Sequence, residues 1–168
     1  MALNASVQNS CKFLSIRGSR YDALVTSATI QITNIDDNSV YTTSMTYNTA
    51  GKGSIVVPTA NLSSTSGVYE ICLIEGGVSQ ICKPLLLHCD IDCCLTKLTN
   101  ELLDCACDCP KCASSLAKAQ KVFLLLKSAS SAEELGQANP TNQGYYTDIL
   151  SKYKKAKEIC DNSCGCDC

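Results

Sequence analysis

The sequence predicts an α+β chain: a small two-sheet β-sandwich over residues 1–88, then a cysteine-stapled three-helix bundle over residues 89–168. Two observations carry this. Apolar residues recur with period two in the first half and with period three to four in the second. Composition also changes sharply near His88 and Cys89, since eleven of the 14 cysteines follow residue 88. The first half is rich in Ser, Thr, Asn, Val and Ile. The second draws all of its basic charge from Lys.

The strands come first. Phe13 to Ile16 opens the series. Ala28, Ile30 and Ile32 alternate with Thr29, Gln31 and Thr33. After the Asp36-Asp37-Asn38 turn signal, Tyr41, Thr43, Met45 and Tyr47 alternate again. Residues 54–57 form a short strand ended by Pro58, and residues 67–75 and 78–87 flank Gly76-Gly77, a hairpin signal. Six or seven short strands broken by Gly, Asn, Asp and Ser favour a sandwich of immunoglobulin-like type.

The helices follow. Ile91, Leu95, Leu98, Leu102 and Cys105 form one stripe at heptad-like spacing. Residues 112–130 form a second helix with Leu116, Ala119, Phe123 and Leu126 on one face. Val122, Leu124 and Leu125 widen that face, so this helix is expected to be central and buried on most sides. Residues 135–144, with Pro140 and Gly144, read as a loop. Tyr146, Ile149, Tyr153, Ala156 and Cys160 then recur at three, four, three, four, and Lys152, Lys154, Lys155 and Lys157 read as a solvated face.

Charge and composition remove several function classes. A net charge of −2 and a pI of about 5.3 argue against a nucleic-acid binder, which needs a basic face. No apolar run approaches a membrane span, and the opening residues lack the basic and apolar regions of a signal peptide. One His and no Trp leave no mechanism that needs several imidazoles.

The cysteines are the strongest signal. If short connections make successive helices antiparallel, the first and third run parallel and their C-terminal ends meet. Cys105, Cys107, Cys109 and Cys112 then face Cys160, Cys164, Cys166 and Cys168. Disulfides fit this, stapling loop and tail to the bundle end. Two zinc sites with four thiolates each fit the same residues, and free thiols are the third alternative. Cys89, Cys93 and Cys94 lie at the junction of the two halves, where one of them ties to Cys11 or another neighbour. Cys72 and Cys82 sit on the arms of the Gly76-Gly77 hairpin. A three-residue loop would place them opposite each other as a cross-strand disulfide, and a two-residue loop would put them on opposite faces, leaving two small buried apolar residues.

Catalytic patterns are weak, and the expectation is that the chain is not an enzyme. Cys109-Pro-Lys-Cys112 has dithiol spacing before a helix, but it lacks the β-α-β frame of a thioredoxin-like fold. His88 and Cys89 are sequence neighbours, which on a strand point to opposite faces.

Two stretches carry a resemblance. Residues 27–32, Ser-Ala-Thr-Ile-Gln-Ile, with residues 61–71, Asn-Leu-Ser-Ser-Thr-Ser-Gly-Val-Tyr-Glu-Ile, resemble the immunoglobulin-like anchoring domains of tailed-phage virion proteins. The second half, from Cys89-Asp-Ile-Asp-Cys-Cys through Lys118-Ala-Gln-Lys-Val-Phe-Leu-Leu-Leu-Lys to the Cys-rich tail, resembles small proteins of environmental tailed phages in which a Cys-rich helical hairpin follows a β domain. The resemblance implies a non-enzymatic virion component: a head decoration, a connector or a fibre adaptor. It would be present in many copies and dock onto other virion proteins through its β half, with no cofactor, nucleic acid or membrane. The alternative from another class is a metal-binding (zinc) or redox protein centred on the cysteine runs at 105–112 and 160–168.

Overall fold

The Gly76-Gly77 pair closes the longest hairpin of the chain, between β6 (Ser66–Glu75) and β7 (Val78–His88). Both glycines have positive φ, 57° and 80°, as a two-residue turn of the mirror-image type requires. In the computed structural model, which describes residues 3–8, 11–104 and 110–162, this hairpin belongs to a four-stranded sheet. Its order is β4-β3-β6-β7, with β3 (Ser27–Asn34) and β4 (Val40–Thr46). A three-stranded sheet, β1-β2-β5, is built from β1 (Leu3–Gln8), β2 (Phe13–Ser19) and β5 (Lys52–Pro58). All strand pairs are antiparallel.

The two sheets share one core. Leu14, Ile16 and Val57 from the smaller sheet meet Ile30, Ile32, Met45, Tyr69, Ile71, Leu73, Leu85 and Leu87 from the larger. The alternation seen in the sequence is the cause, since every second residue of β3 and β6 turns inward. At the entrance to β6, the Tyr69 hydroxyl donates back to the Ser64 carbonyl at 2.6 Å and fixes the incoming loop.

Helices follow the sheets: α1 (Cys89–Asp104), α2 (Pro110–Ala138) and α3 (Gly144–Asp161). The strand-to-helix change falls at His88 and Cys89. A second core crosses that point. Val68 and Leu86, on the outer face of β6 and β7, pack with Val122, Leu126, Ala129 and Ala132 of α2 and Tyr146, Ile149, Tyr153 and Ala156 of α3. The outer face of the β6–β7 hairpin is therefore covered by a helical layer, which explains the run Leu85-Leu86-Leu87, buried on both sides.

Two helical expectations change. α2 continues to Ala138, past residue 130, because its last turns still dock on the sheet. Buried Ala132 belongs to that interface, and a Cβ on Gly136 would meet Pro84 Cγ at 2.8 Å. Nor is α2 buried on most sides. Leu116, Phe123 and Leu124 are exposed, Phe123 by 58%, because sheet and α3 together cover only the stripe through Val122, Leu126, Ala129 and Ala132. In α3 the residues at three-four spacing, Tyr146, Ile149, Tyr153 and Ala156, are all buried.

Candidate functional site

The helices cover β6 and β7 but leave the outer face of β3 and β4 open. Ser27 and Thr29 on β3 and Thr42, Ser44 and Thr46 on β4 are exposed there, while the inward residues of β4 include buried Met45. β4 is the edge strand of its sheet. The sequence carries no charge from Asn38 to Gly51, so this edge lacks the Lys or Glu that commonly blocks strand addition. Asp36 and Asp37 lie before β4 and Lys52 after it.

A groove of about 550 Å³ runs between the β3–β4 turn and α3, lined in part by Asn34, Asp36, Ser66, Asp90, Tyr153 and Lys154. Lys154 forms an ion pair with Asp36 across it, and so one member of the Lys run has a specific partner. Lys152 pairs with Asp148 and Lys157 with Asp161, each one turn apart on α3. In the turn, Asp37 Oδ1 accepts the Ser39 N–H at 2.8 Å, and its hydrogen bonds to Ser39 hold the carboxyl below its ordinary pKa. The groove thus joins helix and turn through paired charges.

At the far end of the sandwich, Glu75 is buried (3% exposed). It accepts the backbone N–H groups of Tyr21 and Asp22 at 3.0 Å and the Tyr47 hydroxyl at 2.6 Å. Burial alone would raise its pKa. The hydrogen bonds from Tyr47, Asp22 and Tyr21 outweigh burial, and the pKa is lowered. Glu133 on α2 behaves oppositely. Burial pushes its carboxyl up to about 7 despite the Leu86 N–H, with Glu134 adding repulsion. Gln137 Nε2 bridges Glu133 and the Pro84 carbonyl, at 3.1 Å to each.

No protein-family model, curated protein or solved structure matches the chain. Its own geometry therefore carries the functional argument.

Three disulfides are formed among the described residues. Cys11 bonds Cys89, with Cα atoms 5.9 Å apart, and fixes the β1–β2 turn to the start of α1. Cys11 itself has φ of 69°, and Thr59 Oγ1 donates to its carbonyl at 2.6 Å. Cys89 is thus bonded and offers no thiol beside His88, whose Nδ1 lies 3.0 Å from Asp92 Oδ2. Cys72 bonds Cys82 across the hairpin, although the loop has two residues. A bulge makes this possible: Ile74 pairs with Ser79 and Leu73 with Ile81, so Gln80 is the extra residue that brings Cys72 and Cys82 opposite each other.

The third bond corrects an expectation. Cys160 bonds Cys94, not a residue of the 105–112 run. Cys94 lies near the start of α1, so the C-terminal end of α3 meets the first half of α1 and not its end. α2 is the reason. Its 29 residues span about 43 Å, and it returns along the sheet before α3 reverses. Cys160 is therefore not free for the zinc alternative. Cys105, Cys107, Cys109, Cys164, Cys166 and Cys168 lie outside the described residues, as do the side chains of Cys93 and Cys112. So does the Cys109-Pro-Lys-Cys112 dithiol pattern.

Sequence reasoning placed Cys94 at the junction without assigning it a partner, and passed over Glu75. A signal for Glu75 existed: it continues the inward series Tyr69, Ile71, Leu73, where a carboxylate needs partners. Cys94 offered none, because its partner depends on how far α2 carries the chain before the turn.

Proposed function

We propose that the chain is a non-enzymatic structural subunit of a tailed-phage virion, present in many copies and docked onto other virion proteins through its β half. Its role would be that of a head decoration, connector or fibre adaptor. The observation that carries this is the open, uncharged edge and outer face of β3 and β4, on a sheet whose β6–β7 half is covered by helices. Such an edge accepts another strand by main-chain hydrogen bonding.

We further infer that the β half is an immunoglobulin-type sandwich. The strand order β1-β2-β5 against β4-β3-β6-β7 supports this, as does the Tyr69 hydroxyl bonded five residues upstream, the form of a tyrosine corner. The helical half would be a three-helix bundle serving as a rigid module, and the Cys94–Cys160 bond between α1 and α3 supports that.

The test places charge on the edge in the full chain. Thr42→Lys with Ser44→Lys changes two exposed side chains, so the fold is retained by circular dichroism. Incorporation into particles, read by mass analysis of purified virions, should fall at least tenfold. Undiminished incorporation of the double variant rejects docking at β4.

A further inference from the structure

The outer face of β6 carries a second feature with no part in docking at β4. Glu70 and Cys72 are two residues apart on the same face of the strand, and Cys82 is opposite Cys72 on β7. One carboxylate oxygen of Glu70 and the two sulfurs all lie within 4.8 Å of one another. Cys72 is buried, and Glu70 and Cys82 are half-buried.

Tyr146 of α3 lies beside Glu70 of this group. The Tyr146 side chain is buried at 5% exposure, and its hydroxyl makes no hydrogen bond of acceptable geometry. The charge acting on it is the Glu70 carboxylate, which after burial is the cause that raises its pKa. A buried hydroxyl held only in poor geometry against the Glu70 carboxylate gains from a further polar partner.

We propose that, when the Cys72–Cys82 bond is reduced, Cys72, Cys82 and Glu70 bind one thiophilic divalent cation, with Zn²⁺ as the type. Thiolates and carboxylates are both zinc ligands, with bonds of about 2.3 Å to sulfur and about 2.0–2.2 Å to oxygen. The fourth position is left for water.

The chemistry balances. A dithiol reductant supplies two electrons and two protons, the S–S bond breaks to give two thiols, and the reductant closes to its own disulfide. Metal binding then releases the two thiol protons to solvent. Three anionic ligands on a dication leave one net negative charge. The hairpin would thus be clipped by a covalent bond under oxidising conditions and by a metal under reducing ones. This is independent of docking at β4 and of the 105–112 and 160–168 runs.

The test uses the full chain, reduced anaerobically with a dithiol and freed of reductant. Thiol alkylation is followed with and without Zn²⁺, and peptide mapping assigns each cysteine. Zinc should slow alkylation of Cys72 and Cys82 together by at least about tenfold. Glu70→Gln removes a direct ligand and should cost zinc affinity at this pair at least on the order of 10–100-fold, the loss that even an outer partner of a metal ligand brings. A second readout is metal stoichiometry, where Cys72→Ala with Cys82→Ala should bind one zinc fewer than the parent chain. Equal alkylation of Cys72 and Cys82 with and without zinc, in a chain whose circular dichroism is native, overturns the proposal. So does an unchanged stoichiometry in the double variant.

Discussion

Tyr47, just past the end of β4, donates its hydroxyl to Glu75 Oε1, at the end of β6, over 2.6 Å. The pair is buried, and the same carboxylate also holds the Tyr21 and Asp22 amides, so one side chain ties the β2–β3 connection to the hairpin. Glu75→Gln removes the charge and turns one acceptor into a donor. It should cost about 1.5–3 kcal/mol, the range for hydrogen bonds to a charged group. Chemical denaturation at pH 7 measures this, and a loss below 0.5 kcal/mol, a small fraction of that roughly 1.5–3 kcal/mol, would show that the carboxylate is dispensable.

The two buried carboxylates give stability opposite pH dependences. The pKa of Glu75 is lowered in the fold, so its contribution is present above its ordinary value of 4.5 and is lost as pH falls through the folded value. That of Glu133 is raised to about 7, so its contribution is present below 4.5 and is lost as pH rises from there through about 7. Glu133→Gln should therefore raise stability at pH 8 by about 1 kcal/mol or more and change it little near pH 4.5, because a neutral amide has no charge to bury at either pH. Melting curves at the two pH values check this, and an equal effect at both would contradict it.

Adjacent residues on α2 should respond very differently. Val122 is fully buried against the sheet, and an unpaired carboxylate there costs several kcal/mol. Phe123 is mostly exposed, so Phe123→Asp should stay within about 1 kcal/mol. Comparable losses in thermal unfolding would mean that the helix is rotated from its observed setting.

Period two in β3 and β4 and the three-four spacing of α3 were legible because each of these elements buries one face. The outward-facing Val68 and Leu86 were not legible as a second core. A strand buried on both faces loses its alternation, and Leu85-Leu86-Leu87 marks only that something covers it. The Gln80 bulge was hidden as well, since no residue type in Val78-Ser79-Gln80-Ile81 demands it. The uncharged stretch around β4 stands in the sequence, but which strand forms the edge follows only from the strand order. The Cys94–Cys160 bond depends on helix lengths that periodicity alone does not fix.

The three disulfides should not contribute equally. Loop-closure entropy gives about 4.5 kcal/mol for the 78-residue separation of Cys11 and Cys89. It gives about 4.3 kcal/mol for the 66 residues between Cys94 and Cys160, and about 2.7 kcal/mol for the 10 between Cys72 and Cys82. Paired Cys→Ser variants should lose stability in that order, and full reduction should lower the melting temperature by more than about 10 °C. An unchanged melt after complete reduction and alkylation would show that the bridges do not hold the fold.

Hydrogen exchange on the full chain, free and within the assembled particle, tests docking at β4 most directly. Edge amides of residues 40–46 exchange quickly in the free chain if they have no partner strand. On assembly these amides should become protected by at least about tenfold, together with residues 27–31 of the neighbouring open face, while α2 and α3 keep their free-state rates. Protection confined to the exposed α2 positions Leu116, Phe123 and Leu124, with β4 unchanged, would contradict docking through the β half and place the interface on the helices.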